Sequence, residues 1–168
     1  HYACALKMNA EVVEFLCTAT EKSIHVTEEK DKSGNLPLHL ALMYETEISV
    51  SFFLLKQFPD AVKIFDAKGR SPLQLAVQCP SMTEEFTNEL IAIYPEAVNI
   101  PFKSIDRGDG PRNSTSWFIG KKPIHVAIKS GTKASIVRSL IRNTLSAQYL
   151  ERNKVKTQVG KNRLERRK

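Results

Sequence analysis

The sequence has few cysteines and no long apolar run, and both absences restrict what the protein can be. Cys4, Cys17 and Cys79 are odd in number and lack the close, paired spacing of a disulfide framework or a zinc site. Apolar runs such as residues 52–55 are far shorter than the about 20 residues that a membrane-spanning helix needs. The N-terminus has no basic-then-apolar signal pattern. We therefore predict an intracellular protein, cytoplasmic or nuclear, with no metal ion and no membrane insertion.

The sequence also lacks an initial methionine, since it begins with His1, and we expect a fragment of a longer protein. Its net charge of +7 is concentrated at the other end. Residues 148–168 contain eight lysines and arginines against two glutamates, a net charge of +6, whereas residues 1–147 carry only +1. We interpret residues 148–168 as a basic C-terminal helix or tail, partly disordered beyond about Val159 because its last residues are too charged to fold alone.

Three roles remain open for this basic segment: a solvated linker, a nuclear address, or a nucleic-acid contact. No aromatic residues are interleaved with its charges for stacking on bases, which makes nucleic acid the less favoured partner.

A segment of eleven residues recurs along the chain. Residues 31–41 align with residues 66–76 at a constant offset of 35 positions. Residues 120–127 repeat the second part of the segment, and residues 1–3 repeat its end. In each longer copy a glycine lies in a polar turn, where a left-handed backbone is cheap only for glycine. The chain is therefore built from repeated units.

Proline marks the boundaries of helices in these units. Pro37, Pro72 and Pro123 are predicted to begin short first helices, because proline at the first helical position loses no hydrogen bond. A second helix is predicted after each, with apolar residues three and four positions apart. Pro59 and Pro95 are predicted to end two of these second helices.

The recurring segment resembles the ankyrin repeat, whose motif is Asp-x-x-Gly-x-Thr-Pro-Leu-His-x-Ala. The match departs from the motif where Leu36, Ser71 and Lys122 replace its Thr and where Gln74 replaces its His. The resemblance implies an all-α solenoid of about four helix pairs, joined by turns or short hairpins. Its units would span about residues 1–30, 31–65, 66–102 and 120–147. It also implies that the motif histidines, His1, His39 and His125, hydrogen-bond across the turn and steady the neighbouring loop.

An insert of about residues 103–119 separates the third and fourth units. It is rich in Gly, Pro and Ser, as loops are, and places Trp117 where the motif has Asp. Such an insert maps to one face of a repeat stack, often the binding face. Two interpretations stay open for Trp117 and Phe118: an anchor for a partner, or packing against the third and fourth units.

No motif predicts catalysis, and we expect neither an enzyme nor a cofactor. The chain has no phosphate-binding glycine loop and no Gly-x-Ser-x-Gly sequence. A rigid repeat array predicts instead a module that binds another protein, with an acidic segment, through turn tips and the exposed ends of first helices. Targeting within a larger signalling enzyme or channel is the alternative. The predicted binding residues are Lys32, Ser33, Asn35, Met43, Tyr44, Lys68, Arg70, Gln78, Trp117, Phe118, Lys121 and Lys129.

Overall fold

Every regular element that the structure describes is helical. The computed structural model describes residues 1–19, 26–103 and 119–165, with side chains as far as Tyr149. Within these ranges the only β-type pairing is an isolated bridge between Phe102 and Ile119. The prediction of an all-α fold is therefore confirmed for this part of the chain. The α-helices are α1 (Tyr2–Ala5), α2 (Ala10–Thr18), α3 (Pro37–Met43), α4 (Ile48–Gln57), α5 (Pro72–Ala76), α6 (Glu84–Ile93), α7 (Pro123–Lys129) and α8 (Ala134–Glu165).

The helices pack in consecutive pairs, and each pair contacts its neighbour. α1 packs on α2, α3 on α4, α5 on α6, and α7 on α8. Among the first helices, α3 contacts both α1 and α5. Among the second helices, α2 contacts α4 and α6 contacts α8. One hydrophobic core results, and it extends from α1 to α8 between the pairs.

The first helices begin where the prolines predict. Pro37, Pro72 and Pro123 are the first residues of α3, α5 and α7. Before α5, the Ser71 hydroxyl accepts from the Gln74 backbone N–H at 3.3 Å, and the Gln74 side-chain oxygen accepts from the Ser71 N–H at 2.9 Å. This reciprocal pair is a capping box.

The N-cap residues of α3 and α7, Leu36 and Lys122, have no side chain that accepts a capping hydrogen bond, and the motif histidine forms one instead. His39 Nδ1 accepts from the Leu36 N–H at 3.0 Å, and His125 Nδ1 accepts from the Lys122 N–H at 3.2 Å. One otherwise unpaired N–H is thereby satisfied at each helix start.

α8 is much longer than the second helices α4 and α6. α4 and α6 end just before short 3-10 helices, Pro59–Lys63 and Pro95–Asn99. In the fourth unit Leu145 takes the place of these prolines, so nothing interrupts the backbone hydrogen bonds. α8 therefore continues to Glu165. The predicted basic C-terminal helix or tail falls on this helix, and residues 148–165 are rich in strong helix formers such as Lys, Arg, Gln and Leu.

Small and large buried side chains both contribute to the core. Ala41, Ala76 and Ala127 are buried in the first helices, where a small side chain lets two helices approach closely. Between second helices, the rings of Phe52 and Phe86 meet edge to face with their centroids 4.9 Å apart. Such contacts join residues that lie about one repeat apart in sequence, so each pair of helices is held by its neighbours.

Candidate partner-binding surface

The turns that precede α3 and α5 are each organised by one aspartate. Asp31 Oδ1 accepts from the backbone N–H groups of Ser33 at 2.9 Å and Asn35 at 2.8 Å. Gly34 supplies the positive φ of 88° that the turn requires. Slight burial raises the pKa of Asp31, but the hydrogen bonds from Asn35, Ser33 and Gly34 outweigh it and hold that pKa below its ordinary value. Lys32 and Ser33 are left exposed at the tip of the turn.

The next turn repeats this arrangement and adds an ion pair. Asp66 Oδ1 accepts from the N–H groups of Lys68 at 2.8 Å and Arg70 at 2.7 Å. Its other oxygen accepts from the Arg70 guanidinium, with both N–O distances at 2.8 Å. The same guanidinium lies 3.0 Å from Met43 Sδ. Arg70 and Met43 are therefore half-buried and contact each other, whereas Lys68 is exposed at the tip.

Asn35 was predicted to face a partner, but it lies buried with 8% of its surface exposed. Its side-chain oxygen accepts from the Ala67 N–H at 3.1 Å, and its amide nitrogen donates to Asp31 at 3.1 Å. Asn35 thus joins two successive turns, and its surface is not available to another molecule. The spacing signalled only its contact with Asp31, because Asn35 follows Asp31 as Arg70 follows Asp66.

The motif His position ties α1, α3 and α5 to a more distant carbonyl. His39 Nε2 lies 3.0 Å from the Ile64 oxygen, and His1 Nε2 lies 3.0 Å from the Glu29 oxygen. Gln74, which replaces the histidine, donates to the Ile100 oxygen at the same distance of 3.0 Å. The predicted loop-steadying role is confirmed for His1 and His39, and Gln74 shares it.

His39 is held as a neutral ring. Its Nδ1 accepts from the Leu36 N–H, so the ring hydrogen must be on Nε2, which then donates to Ile64. Burial lowers the pKa of His39 from its ordinary value, and the carbonyl of Ile64 only partly opposes this effect. His125 is exposed, and its Nδ1 bond to the start of α7 remains.

Phe102, which was not among the predicted residues, pairs with the residues that follow the insert. The Phe102 N–H donates to the Lys121 oxygen at 2.9 Å, and the Gly120 N–H donates to the Phe102 oxygen at 2.8 Å. Asp66 makes the equivalent two bonds with Arg70 and Gly69. Phe102 therefore takes the backbone position that was predicted for Trp117, because it pairs with the strand-like residues that follow the insert. Trp117 and Phe118 themselves lie outside the described residues.

The remaining predicted residues lie mostly in the open. Tyr44, Lys121 and Lys129 are exposed. Gln78 is half-buried and donates to the Gln74 carbonyl at 2.9 Å. The exposed tips of the three turns thus carry Lys32, Lys68 and Lys121, and none of these ammonium groups forms an ion pair within the described ranges.

Two observations on the described residues concern metal binding and thiol chemistry. Over these ranges, no group of three or more His, Cys, Asp or Glu side chains is placed to hold a metal ion. Burial raises the pKa of the Cys4 and Cys17 thiols, which disfavours the nucleophilic thiolate form. In the same part of the chain, none of the helices combines the length and the apolar character needed to span a bilayer.

The chain was also compared with known proteins. No protein-family model matches it, and no curated protein sequence matches it. The interpretation of its function therefore depends on its own geometry.

Proposed function

We propose that this chain is an ankyrin-type array of four stacked helix pairs and that its function is to bind another protein. The observation that carries the proposal is the recurrence of one contact at one position: His1, His39 and Gln74 each reach a backbone oxygen 25 to 28 residues further along the chain. Each of these contacts joins the start of a unit to its own end, so three units share one internal arrangement. The packing of α3 on both α1 and α5, and the hydrogen bond from the Ala67 N–H to Asn35, are the contacts expected of units that lie side by side. A stack of this kind is a preorganised surface, and it loses little conformational entropy when a partner binds.

The tips of the three turns are the proposed contact with the partner. Lys32, Lys68 and Lys121 are exposed there and are not neutralised by acidic neighbours in the described parts of the chain. The turns beneath Lys32 and Lys68 are held by buried or backbone-bonded aspartates, so these two ammonium groups project from a fixed backbone. The exposed ring of Tyr44, at the C-terminal end of α3, is the proposed apolar contact.

The chemistry of this surface favours an acidic or phosphorylated segment. Exposed ammonium groups attract carboxylates and phosphates and accelerate encounter with them. Arg70 does not belong to this set, because its guanidinium already neutralises Asp66. The proposed binding residues are thus the three tip lysines and Tyr44, a smaller set than the sequence predicted.

A peptide array tests this proposal. It contains extended acidic, phosphoserine-containing, neutral and basic peptides and is probed with the complete chain. We expect binding to the acidic and phosphorylated peptides, with an affinity that falls as salt is added. The triple substitution Lys32→Glu, Lys68→Glu and Lys121→Glu is expected to weaken this binding by roughly tenfold or more.

A matched variant separates the tip surface from net charge. Lys56→Glu, Arg138→Glu and Arg142→Glu change the charge equally at exposed positions on second helices. We expect this variant to bind as the unchanged chain does. If both triple variants lose binding alike, or if neither does, the turn tips are not the binding surface.

A further inference from the structure

The three turns that precede α3, α5 and α7 share one backbone hydrogen-bond pattern. In each turn the first residue donates its N–H to the carbonyl of the residue after the glycine, and the glycine N–H donates back to the carbonyl of the first residue. These bonds measure 2.8 or 2.9 Å and join Asp31 with Asn35 and Gly34, Asp66 with Arg70 and Gly69, and Phe102 with Lys121 and Gly120. The tip lysines, Lys32, Lys68 and Lys121, each lie within two residues of the glycine of their turn. The same turn thus presents an exposed lysine three times.

The other hydrogen-bond donors of the first two turns are largely engaged within the protein. Asp31 accepts from the backbone N–H groups of Ser33 and Asn35. Asp66 accepts from both the N–H and the guanidinium of Arg70. The ammonium group of a lysine is a point charge on a flexible stem, without the fixed donor geometry of a guanidinium. A partner is therefore recognised at the tips by the spacing of the positive charges rather than by a shaped anion pocket.

The spacing of the tips follows from the packing of the units. α3 packs on α5, and the Ala67 N–H donates to Asn35 Oδ1 at 3.1 Å between the first two turns. At the next junction the Thr132 hydroxyl, just after α7, donates to the Val77 oxygen at the end of α5 at 2.9 Å. Packed helices lie about 8–10 Å apart. The tip lysines are therefore a row of three charges at intervals of about 8–10 Å.

Among the regular conformations of a peptide, the polyproline II helix has the repeat that matches this interval. It has about three residues per turn and rises about 3.1 Å per residue, so side chains three residues apart lie on one side at about 9.3 Å. Neighbouring side chains on one face of a β-strand are only roughly 6–7 Å apart. In an α-helix, side chains about seven residues apart share a face at about 10.5 Å. A helix that covers three tips at that spacing needs about 15 residues, and isolated helices of that length are marginal in water.

We propose that the partner segment is an acidic polyproline II helix with a carboxylate at every third position, such as a run of Glu-Pro-Pro. Each carboxylate then faces one tip lysine, and the middle carboxylate faces Lys68 whichever way the segment runs. A proline-rich segment is already extended in solution, so it loses little conformational entropy when it binds. This inference rests on the proposed function, because it specifies the partner of the same surface.

Fluorescence anisotropy with three labelled peptides of equal charge tests the inference on the complete chain at low salt. The first peptide contains three Glu-Pro-Pro repeats. The second has the same composition with its three glutamates adjacent, and the third is an alanine-rich helix with a glutamate at every seventh position. We expect the first peptide to bind roughly threefold to tenfold more tightly than either of the others, which is the range expected of a few exposed ion pairs.

A double-mutant cycle tests the position of the middle carboxylate. Glutamine replaces the middle glutamate of the first peptide, and Lys68→Gln is made in the chain. Each change alone should weaken binding, but the peptide change should have little further effect on Lys68→Gln. Lys56→Gln is the matched control, because Lys56 is an exposed lysine on the second helix α4. The middle glutamate should keep its full effect in this control, and circular dichroism should be unchanged in both variants because both side chains are exposed.

The outcomes separate this inference from the proposed function. If the peptide with adjacent glutamates or the helical peptide binds as tightly as the Glu-Pro-Pro repeat, the surface responds to net charge alone and the inference is overturned. It is also overturned if the middle glutamate keeps its full effect in Lys68→Gln. In both cases the binding of acidic segments at the tips still stands. If none of the acidic peptides binds, the proposed function fails and this inference fails with it.

Discussion

His39 and Gln74 occupy the same position of successive units and make the same two hydrogen bonds with different side chains. Each accepts from the N–H of the residue three positions earlier, at 3.0 Å and 2.9 Å, and each has a nitrogen 3.0 Å from the carbonyl of a later isoleucine. The amide of Gln74 does this at any pH. The imidazole of His39 does it only while it is neutral.

We therefore expect His39 to make the folding stability dependent on pH. Its pKa is lowered in the folded protein relative to its ordinary value of 6.5, so the unfolded chain binds the proton first as the pH falls. The neutral ring contributes its full stability at pH values above the ordinary pKa of 6.5, and this contribution is lost as the pH falls through the lowered pKa. In His39→Gln the free energy of unfolding, measured by urea titration, should depend less on pH between about pH 7 and about pH 5.

Gln74→His is the reciprocal test of the same relationship. It should add a second loss of stability over that pH range, because the new imidazole would have to stay neutral in the same buried place. An unchanged pH dependence in His39→Gln would mean that another group is responsible. Asp31, whose pKa is lowered from 3.8, loses its contribution only at lower pH and is thereby distinguished from His39.

Asp66 and Asp31 organise equivalent turns, but we expect them to differ in importance. The Asp66 side chain is fully buried and holds the Arg70 guanidinium, which is 22% exposed, as well as two backbone N–H groups. Asp66→Ala should lower the free energy of unfolding by about 2–4 kcal/mol, because it leaves a partly buried cation and two donors without their acceptor. Asp31→Ala should cost clearly less, because its turn is half exposed and holds no cation. Chemical denaturation of both variants decides the order, and equal losses would contradict it.

Leu54 and Leu16 test the equivalence of the units. Leu54 is 2% exposed, and Leu54→Ala should cost about 2–5 kcal/mol because a cavity forms in the core. Leu16 lies at the same position of the first unit but is half exposed, so Leu16→Ala should cost less than about 1 kcal/mol. Thermal and urea unfolding of the two variants provide the measurement. A large loss for Leu16→Ala would mean that the first unit is covered in a way that the monomer lacks.

Leu145→Pro tests why α8 is long. Proline at this position should end α8 where Pro59 and Pro95 follow the ends of α4 and α6, since proline removes one backbone hydrogen bond and clashes with the preceding turn. The far-UV circular dichroism signal should lose the contribution of the helix beyond residue 145, while the core still unfolds cooperatively. Leu145→Ala should keep the full signal. If Leu145→Pro leaves helicity unchanged, the missing proline is not the reason for the length of α8.

The sequence was sufficient for features that depend on local backbone chemistry. Pro37, Pro72 and Pro123 begin helices because ring closure presets their φ, and Gly34 and Gly69 adopt positive φ in the turns before two of them. The contacts of His1 and His39 were predictable from the resemblance alone, because a recurring residue at a recurring position implies a recurring contact. The extent of α8 was left open between a helix and a tail, because the charge of the last residues and the helix propensity of lysine and arginine favour opposite outcomes.

The availability of side chains at the candidate surface could not be predicted in the same way. Asn35 and Arg70 are polar residues of polar turns, yet Asn35 is bound to Ala67 in the next turn and Arg70 to Asp66 and Met43. At the third turn the backbone of Phe102, and not that of Trp117, pairs with Gly120 and Lys121. A long insert can be accommodated between these residues because the entropic cost of closing a loop grows only slowly with its length.

By itself the amino-acid sequence determined the units: which residues start helices, which carbonyls the motif position would reach, and which apolar residues recur. Those properties follow from sterics and spacing within about one turn or one repeat. Only the tertiary structure decided which members of each recurring set are exposed, as with Ile128 against Leu42 and Lys68 against Arg70. Exposure depends on whether a neighbouring unit covers the position, and that is a property of the packed stack.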